Sequence, residues 1–167
     1  IPNKKKILSN IIPGGPKNYT FTNEIDYYKE YQESYFGLTK KKGGWDCLRH
    51  YEIIANGCIP IFENIERCPE NTLKLLPKNL LIKGNILYNN IFKKKFNELT
   101  DEEINECNNL ILDLLNYTKK NLTTESIAKY ILEKSKNINA KKILYLSSST
   151  SPDYLRCLTL HGFKTLF

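Results

Sequence analysis

Between Ser34 and Phe62 the apolar positions change their spacing twice. Residues 34–39, Ser-Tyr-Phe-Gly-Leu-Thr, mix aromatic and aliphatic side chains over a short run and predict a β-strand. Lys-Lys-Lys-Gly-Gly at 40–44 breaks it. From 45 to 56, Leu48, Tyr51, Ile54 and Ala55 recur at three- and four-residue steps. That spacing predicts a helix with one apolar face, and Gly57 stands where a C-terminal cap is needed. Cys-Ile-Pro-Ile-Phe at 58–62 is apolar throughout, as suits a strand covered on both faces of a parallel sheet. Strand, glycine turn, helix and buried strand make a βαβ unit.

The flanks are read by the same rules. Residues 1–32 carry prolines, a Gly-Gly-Pro turn and little sustained period, and predict loop with one short strand. Residues 70–83 predict a short helix that Pro77 stops, then a strand at 80–83. Thr100 and Glu103 form a capping box ahead of a helix to about residue 117, and Thr123 or Thr124 caps a second helix to about 135. Residues 142–146 read as a strand, the Ser-rich stretch after them as a loop, and Pro152 as the first residue of a helix capped by Ser151. The expected class is α/β, a Rossmann-like parallel sheet flanked by helices. The first domain is expected at 1–140. Residues 141–167 are expected to form a strand-loop-helix unit that would either open a further Rossmann-like domain or pack on the first as a terminal βα unit.

Composition narrows the picture only a little. A length of 167 residues accommodates a core of ordinary size. With no methionine and Ile1 at its start, the chain is expected to be a piece of a longer protein. The net charge of +7 favours phosphate-bearing or polyanionic partners without choosing among them, and Lys, Asn and Ile are abundant throughout. Five scattered cysteines without a Cys-x-x-Cys pair, and two histidines, argue against a zinc site and for small buried thiols of a reduced protein. Asn-x-Thr triplets at Asn18, Asn116 and Asn121 are close to the roughly two that chance supplies in such a composition, so they do not establish secretion. Neither a signal peptide nor an apolar run of membrane-spanning length is visible.

Chemistry gathers around the βαβ unit. Ligands of open parallel sheets bind beyond the carboxyl ends of the strands, where turns enter helices. Lys42, Gly43 and Gly44 lie in such a turn: glycines let backbone approach a phosphate and lysines add charge. A solvated lysine run would look the same, and neither the P-loop nor the dinucleotide fingerprint is present. Arg49 and Glu52, three apart on the helix, are either an intrahelical pair stabilising by about 0.2–0.5 kcal/mol or a ligand-binding pair. Trp45 reads first as a packing anchor and second as a stacking surface. His50 reads as structural, His161 falls in a C-terminal helix, and no general base stands out.

Arg49 and Glu52, followed at fixed spacing by Gly57, Cys58, Ile59 and Pro60, resemble the exostosin family of glycosyltransferases, whose C-terminal half carries an Arg-x-x-Glu helix and then a Gly-Cys-Ile-Pro turn and strand. The resemblance covers about residues 35–77. It implies one half of a two-domain GT-B enzyme. This half would hold a nucleotide-sugar, usually a UDP-sugar, and a missing second Rossmann-like domain would supply the site for a glycan acceptor. Arg49 would neutralise the leaving diphosphate, Glu52 would accept hydrogen bonds from sugar or ribose hydroxyls, and the Gly57–Cys58–Ile59–Pro60 backbone would approach the nucleotide. No metal or other cofactor is expected, since GT-B enzymes work without one and no Asp-x-Asp occurs. Nucleic acid is not an expected partner. The resemblance points to the Golgi lumen and the cysteine usage to the cytoplasm, so the compartment stays open. The competing reading is a non-catalytic polyanion- or carbohydrate-binding α/β domain.

Overall fold

A computed structural model of the chain describes residues 1–14, 21–147 and 153–167. The chain divides into two compact units, Ile1–Asn116 and Tyr117–Phe167, earlier in the sequence than the expected boundary at 140.

The first unit is α/β. Strands β1 (Lys6–Leu8), β2 (Ser34–Thr39) and β3 (Ile59–Phe62) form a parallel sheet in the order β1-β2-β3. Lys6 stands opposite Ser34, Phe36 opposite Ile59 and Thr39 opposite Phe62. Helix α1 (Glu24–Gln32) connects β1 to β2, and α2 (Leu48–Ala55) connects β2 to β3. Phe36 meets Tyr88 of α3 (Lys78–Ile91), whereas a Cβ on its neighbour Gly37 would meet Tyr31 of α1 and Ile53 of α2. Successive strand residues point to opposite faces, so helices cover both sides of the sheet. The Rossmann-like arrangement expected from the apolar patterning is what the chain adopts.

Helix α1 was not expected, because its apolar residues are one exposed isoleucine, Ile25, and tyrosines among charges. Asn23 caps it by accepting from the Asp26 N–H at 2.8 Å, and Tyr31 is its one fully buried residue. Helix α2 starts three residues later than expected and turns a different face inward. It buries His50, Ile53 and Ile54, leaving Leu48 and Ala55 exposed and Tyr51 half-buried. The rotation is set by His50, a residue that hydropathy counts as polar. In the neutral ring Nε2–H donates to the Trp45 carbonyl at 2.8 Å, so Nδ1 accepts from the Thr39 hydroxyl at 2.8 Å, and the ring stacks on Phe62. Gly57 ends α2 as expected. It adopts φ +64°, its N–H bonds to the Ile54 carbonyl, and the Cys58 N–H bonds to that of Ile53.

Residues 80–83 are not a strand. Pro77, expected to stop a helix, instead starts one: its missing N–H costs nothing at a helix N-terminus, and its carbonyl accepts from Leu80 and Leu81. The stretch before it is a set of turns rather than a helix, with Leu73 in the left-handed region at φ +52°. Leu81, Gly84, Leu87 and Ile91 form the buried stripe of α3. A Cβ on Gly84 would lie 2.7 Å from Ile59, so glycine here lets α3 sit against β3. Asn85 then satisfies the edge of β3, exchanging hydrogen bonds with both the N–H and the carbonyl of Phe62. Helix α4 (Asp101–Asn121) opens with the expected capping box between Thr100 and Glu103.

In the second unit α5 (Thr124–Lys134), capped by Thr123, packs on α6 (Tyr154–Leu166), capped by Asp153. The proposed cap at Ser151 and first helical residue at Pro152 lie outside the described residues. Residues 142–146 are not a strand: no described strand lies beside them to complete a ladder, and Leu144 and Leu146 are 83% and 82% exposed.

Candidate ligand-binding site at the carboxyl edge of the sheet

In a parallel sheet all strands end on one edge, so the turns after β2 and β3 and the N-termini of α1 and α2 gather there. Lys42, Gly43 and Gly44 occupy the turn after β2, are exposed, and surround open space: a Cβ on either glycine would meet nothing within 4 Å. With Lys40, Lys41 and Trp45 this turn forms one wall of a cleft of about 550 Å³, and Glu63, Asn64, Arg67 and Pro69 of the turn after β3 form the other. A neighbouring cleft of about 400 Å³ shares Lys40 and Glu63 and is lined by Thr39, Asn85 and Tyr88.

Arg49 and Glu52 are half-buried on α2. Glu52 Oε2 accepts a 2.9 Å hydrogen bond from the Tyr27 hydroxyl of α1, and the charge of Arg49 acts on Tyr27 and Tyr31. The pair therefore addresses the side on which α1 lies. Glu52 there lines a third cleft with Phe21, Asn23, Glu24, Tyr27 and Tyr28. Burial raises the phenol pKa of Tyr27 and Tyr31, and a hydrogen bond to Glu24 raises that of Tyr28 to about 12. All three phenols stay protonated near neutrality. The cleft thus combines hydroxyl donors, carboxylate acceptors and aromatic faces.

Gly57, Cys58, Ile59 and Pro60 lie elsewhere. They enter β3 at the amino end of the sheet, opposite to the lysine turn. The Gly57 and Cys58 amides close the cap of α2, and the Gly57 carbonyl accepts from Lys4 Nζ, which also donates to the carbonyls of Gln32 at 2.9 Å and Ser34 at 2.8 Å. Burial pulls the Lys4 ammonium down to about 8 and pushes the Cys58 thiol up to about 12. These backbone groups are engaged within the fold, and a Cβ on Gly57 would lie 2.9 Å from Pro2. The structure places Lys42, Gly43 and Gly44 in the turn at the carboxyl edge, sets Arg49 and Glu52 apart from it toward α1, with Glu52 lining a separate cleft, and leaves the Gly57 to Pro60 turn at the other end of the sheet.

Several lining residues escaped the sequence reading. Tyr27 and Tyr28 sit in a helix taken for loop, although the Asn23 cap three residues before Asp26 was a usable signal. Arg67 and Asn64 follow the buried strand with no periodic pattern to mark them. Most of the cysteines are expected to be buried, as Cys58, Cys68 and Cys107 are, whereas Cys47, the N-cap of α2, is half-buried. Its burial, which raises a thiol pKa, is outweighed by the His50 contact, so its pKa falls below the usual thiol value. Among the described residues there is no group of three potential metal ligands, and no helix is long and apolar enough to cross a membrane. No protein-family model, curated protein or solved structure matches the chain.

Proposed function

We propose that this chain is the nucleotide-sugar-binding half of a glycosyltransferase, with a UDP-sugar as the donor class and a glycan or protein as the acceptor. The observation that carries the reading is that Arg49 and Glu52 lie three residues apart on α2, which follows the first turn of a parallel sheet, beside the protonated phenols of α1. Sugar transfer releases a diphosphate anion while the anomeric carbon gains positive character, so the protein must supply fixed cations and acceptors for sugar hydroxyls. Arg49 supplies a charge that does not titrate, in a fork matched to phosphate oxygens. Glu52, already held by Tyr27, is oriented to accept from a hydroxyl of the ligand. A second domain completes the acceptor side and provides any general base.

Thermal unfolding with added nucleotide tests this. A ligand that binds only the folded chain raises its stability with concentration, by about 2.7 kcal/mol at a hundredfold excess over Kd. UDP is expected to raise Tm in the wild type and to lose most of that effect in Arg49→Ala. A UDP response untouched by that substitution, or no response, overturns the role of the pair.

A further inference from the structure

We infer that Cys157 and His161 of α6 form one half of a tetrahedral metal site of the zinc class, which a second copy of this chain completes with the same two residues. This goes beyond the donor-binding reading and does not depend on it, since it concerns the second unit and none of the residues around the sheet.

The spacing comes first. Residues four apart on a helix stand one above the other on a single face, so Cys157 and His161 share a stripe of α6. Both are exposed, whereas Thr159 and Gly162, the residues that α6 buries, lie on its other side. A thiolate and an imidazole are zinc ligands, and two ligands four apart on one helix can reach the same ion.

The second observation is how His161 is held. A Cβ on Gly162 would run into the Thr124 carbonyl, so glycine there lets the first turn of α5 rest on α6. The Thr124 hydroxyl consequently lies 2.8 Å from Nδ1 of His161. When Nδ1–H donates to that hydroxyl, Nε2 keeps its lone pair for a ligand. An oxygen acceptor at one ring nitrogen is what orients a metal-binding histidine and fixes its tautomer. His50 differs, being buried and engaged at both nitrogens.

Ligand number identifies the partner. A closed tetrahedral site takes four ligands, α6 of one chain offers two, and no three potential ligands come together among the described residues. Two-fold pairing with α6 of another copy supplies the same two again. As each Zn–S bond forms its thiol gives up a proton to solvent, so two thiolates offset the charge of the cation and the interface receives no net charge. Tyr154 and Leu160, three residues to either side of Cys157, are 39% and 36% exposed on the same face and would be covered with it.

Zn²⁺ and Co²⁺ added to the reduced full chain test this. Co²⁺ is expected to develop a thiolate charge-transfer band and the visible bands of tetrahedral coordination, to saturate at one ion for two chains, and to be displaced by Zn²⁺. Sedimentation should show an association that Zn²⁺ drives and a chelator reverses. Cys157→Ser and His161→Ala should each abolish the bands and the association. Thr124→Ala should weaken binding by about 10–100-fold, and Thr124→Ser, which restores the hydroxyl, should bind as the wild type does. Recovery in the serine variant separates loss of the bond to Nδ1 from a disturbed α5. Saturation at one ion per chain without association overturns the proposal, as does an association indifferent to chelator and to Cys157→Ser. Bands that disappear in Cys47→Ser and persist in Cys157→Ser place the metal elsewhere and overturn it too.

Discussion

Single side chains decide the amino end of this sheet. Lys4 puts a buried ammonium against three carbonyls, that of Gln32 at the C-terminal end of α1, that of Ser34, and that of Gly57 just past the end of α2. The Gln32 carbonyl carries the negative end of the α1 dipole, so a cation there is favoured despite the burial that lowers its pKa. Lys4→Met would keep much of the volume and remove every donor. We expect it to lower stability by about 2–3 kcal/mol, the cost of leaving buried acceptors unpaired, measured as a shift in urea midpoint. An unshifted midpoint would mean that water reaches these groups. None of this was legible from the lysine run at residues 4–6, where three identical side chains take three different environments: Lys4 is buried, Lys5 is exposed and paired with Glu33, and Lys6 is half-buried and paired with Glu30.

At the level of elements, close approach matters more than propensity. Alanine at Gly84 would improve the intrinsic helix preference of α3 by up to about 1 kcal/mol, yet its methyl would meet a stiff, buried Ile59 at 2.7 Å. Overpacking costs about 1–3 kcal/mol, so Gly84→Ala should be net destabilising, by up to about 2 kcal/mol in chemical denaturation. A stabilised variant would show that α3 shifts away from β3 at little cost. Pro77 teaches the same lesson from the other direction. Its effect on a helix depends on which side of it the helix lies, and the apolar stripe of residues 81–91 was cut short because residues 80–83, following an expected stop, were read as a strand. The lysine turn, β2, β3 and the Gly57 cap were all legible, because turn chemistry and apolar run length are local properties.

For the first unit as a whole, acid should be the destabilising direction. A hydrogen bond from Lys5 holds the Glu33 carboxyl below its usual 4.5, and one from Lys94, with the Thr100 N–H, does the same for Glu103. A carboxyl depressed in the folded state binds protons less tightly there than in the unfolded chain. Its contribution is therefore present above 4.5 and is lost as pH falls through the depressed value. Urea midpoints should be flat from that pH up to neutrality and decline below it, with a shallower decline in Glu103→Gln; an unchanged slope would place the acid sensitivity elsewhere. What the sequence determined alone is the parallel βαβ frame, the capped helices α4 and α5, and the position of a cationic turn at the carboxyl edge, since each follows from periodicity and local backbone chemistry. Only the tertiary structure decided that α2 turns His50 inward, that Arg49 and Glu52 address the phenols of α1, and that the Gly57 to Pro60 turn faces the other end of the sheet. Those outcomes depend on which surfaces meet. Hydropathy assigns a preference to each residue by itself, whereas the orientation of a helix is set by the partners available to its polar atoms once the sheet has formed.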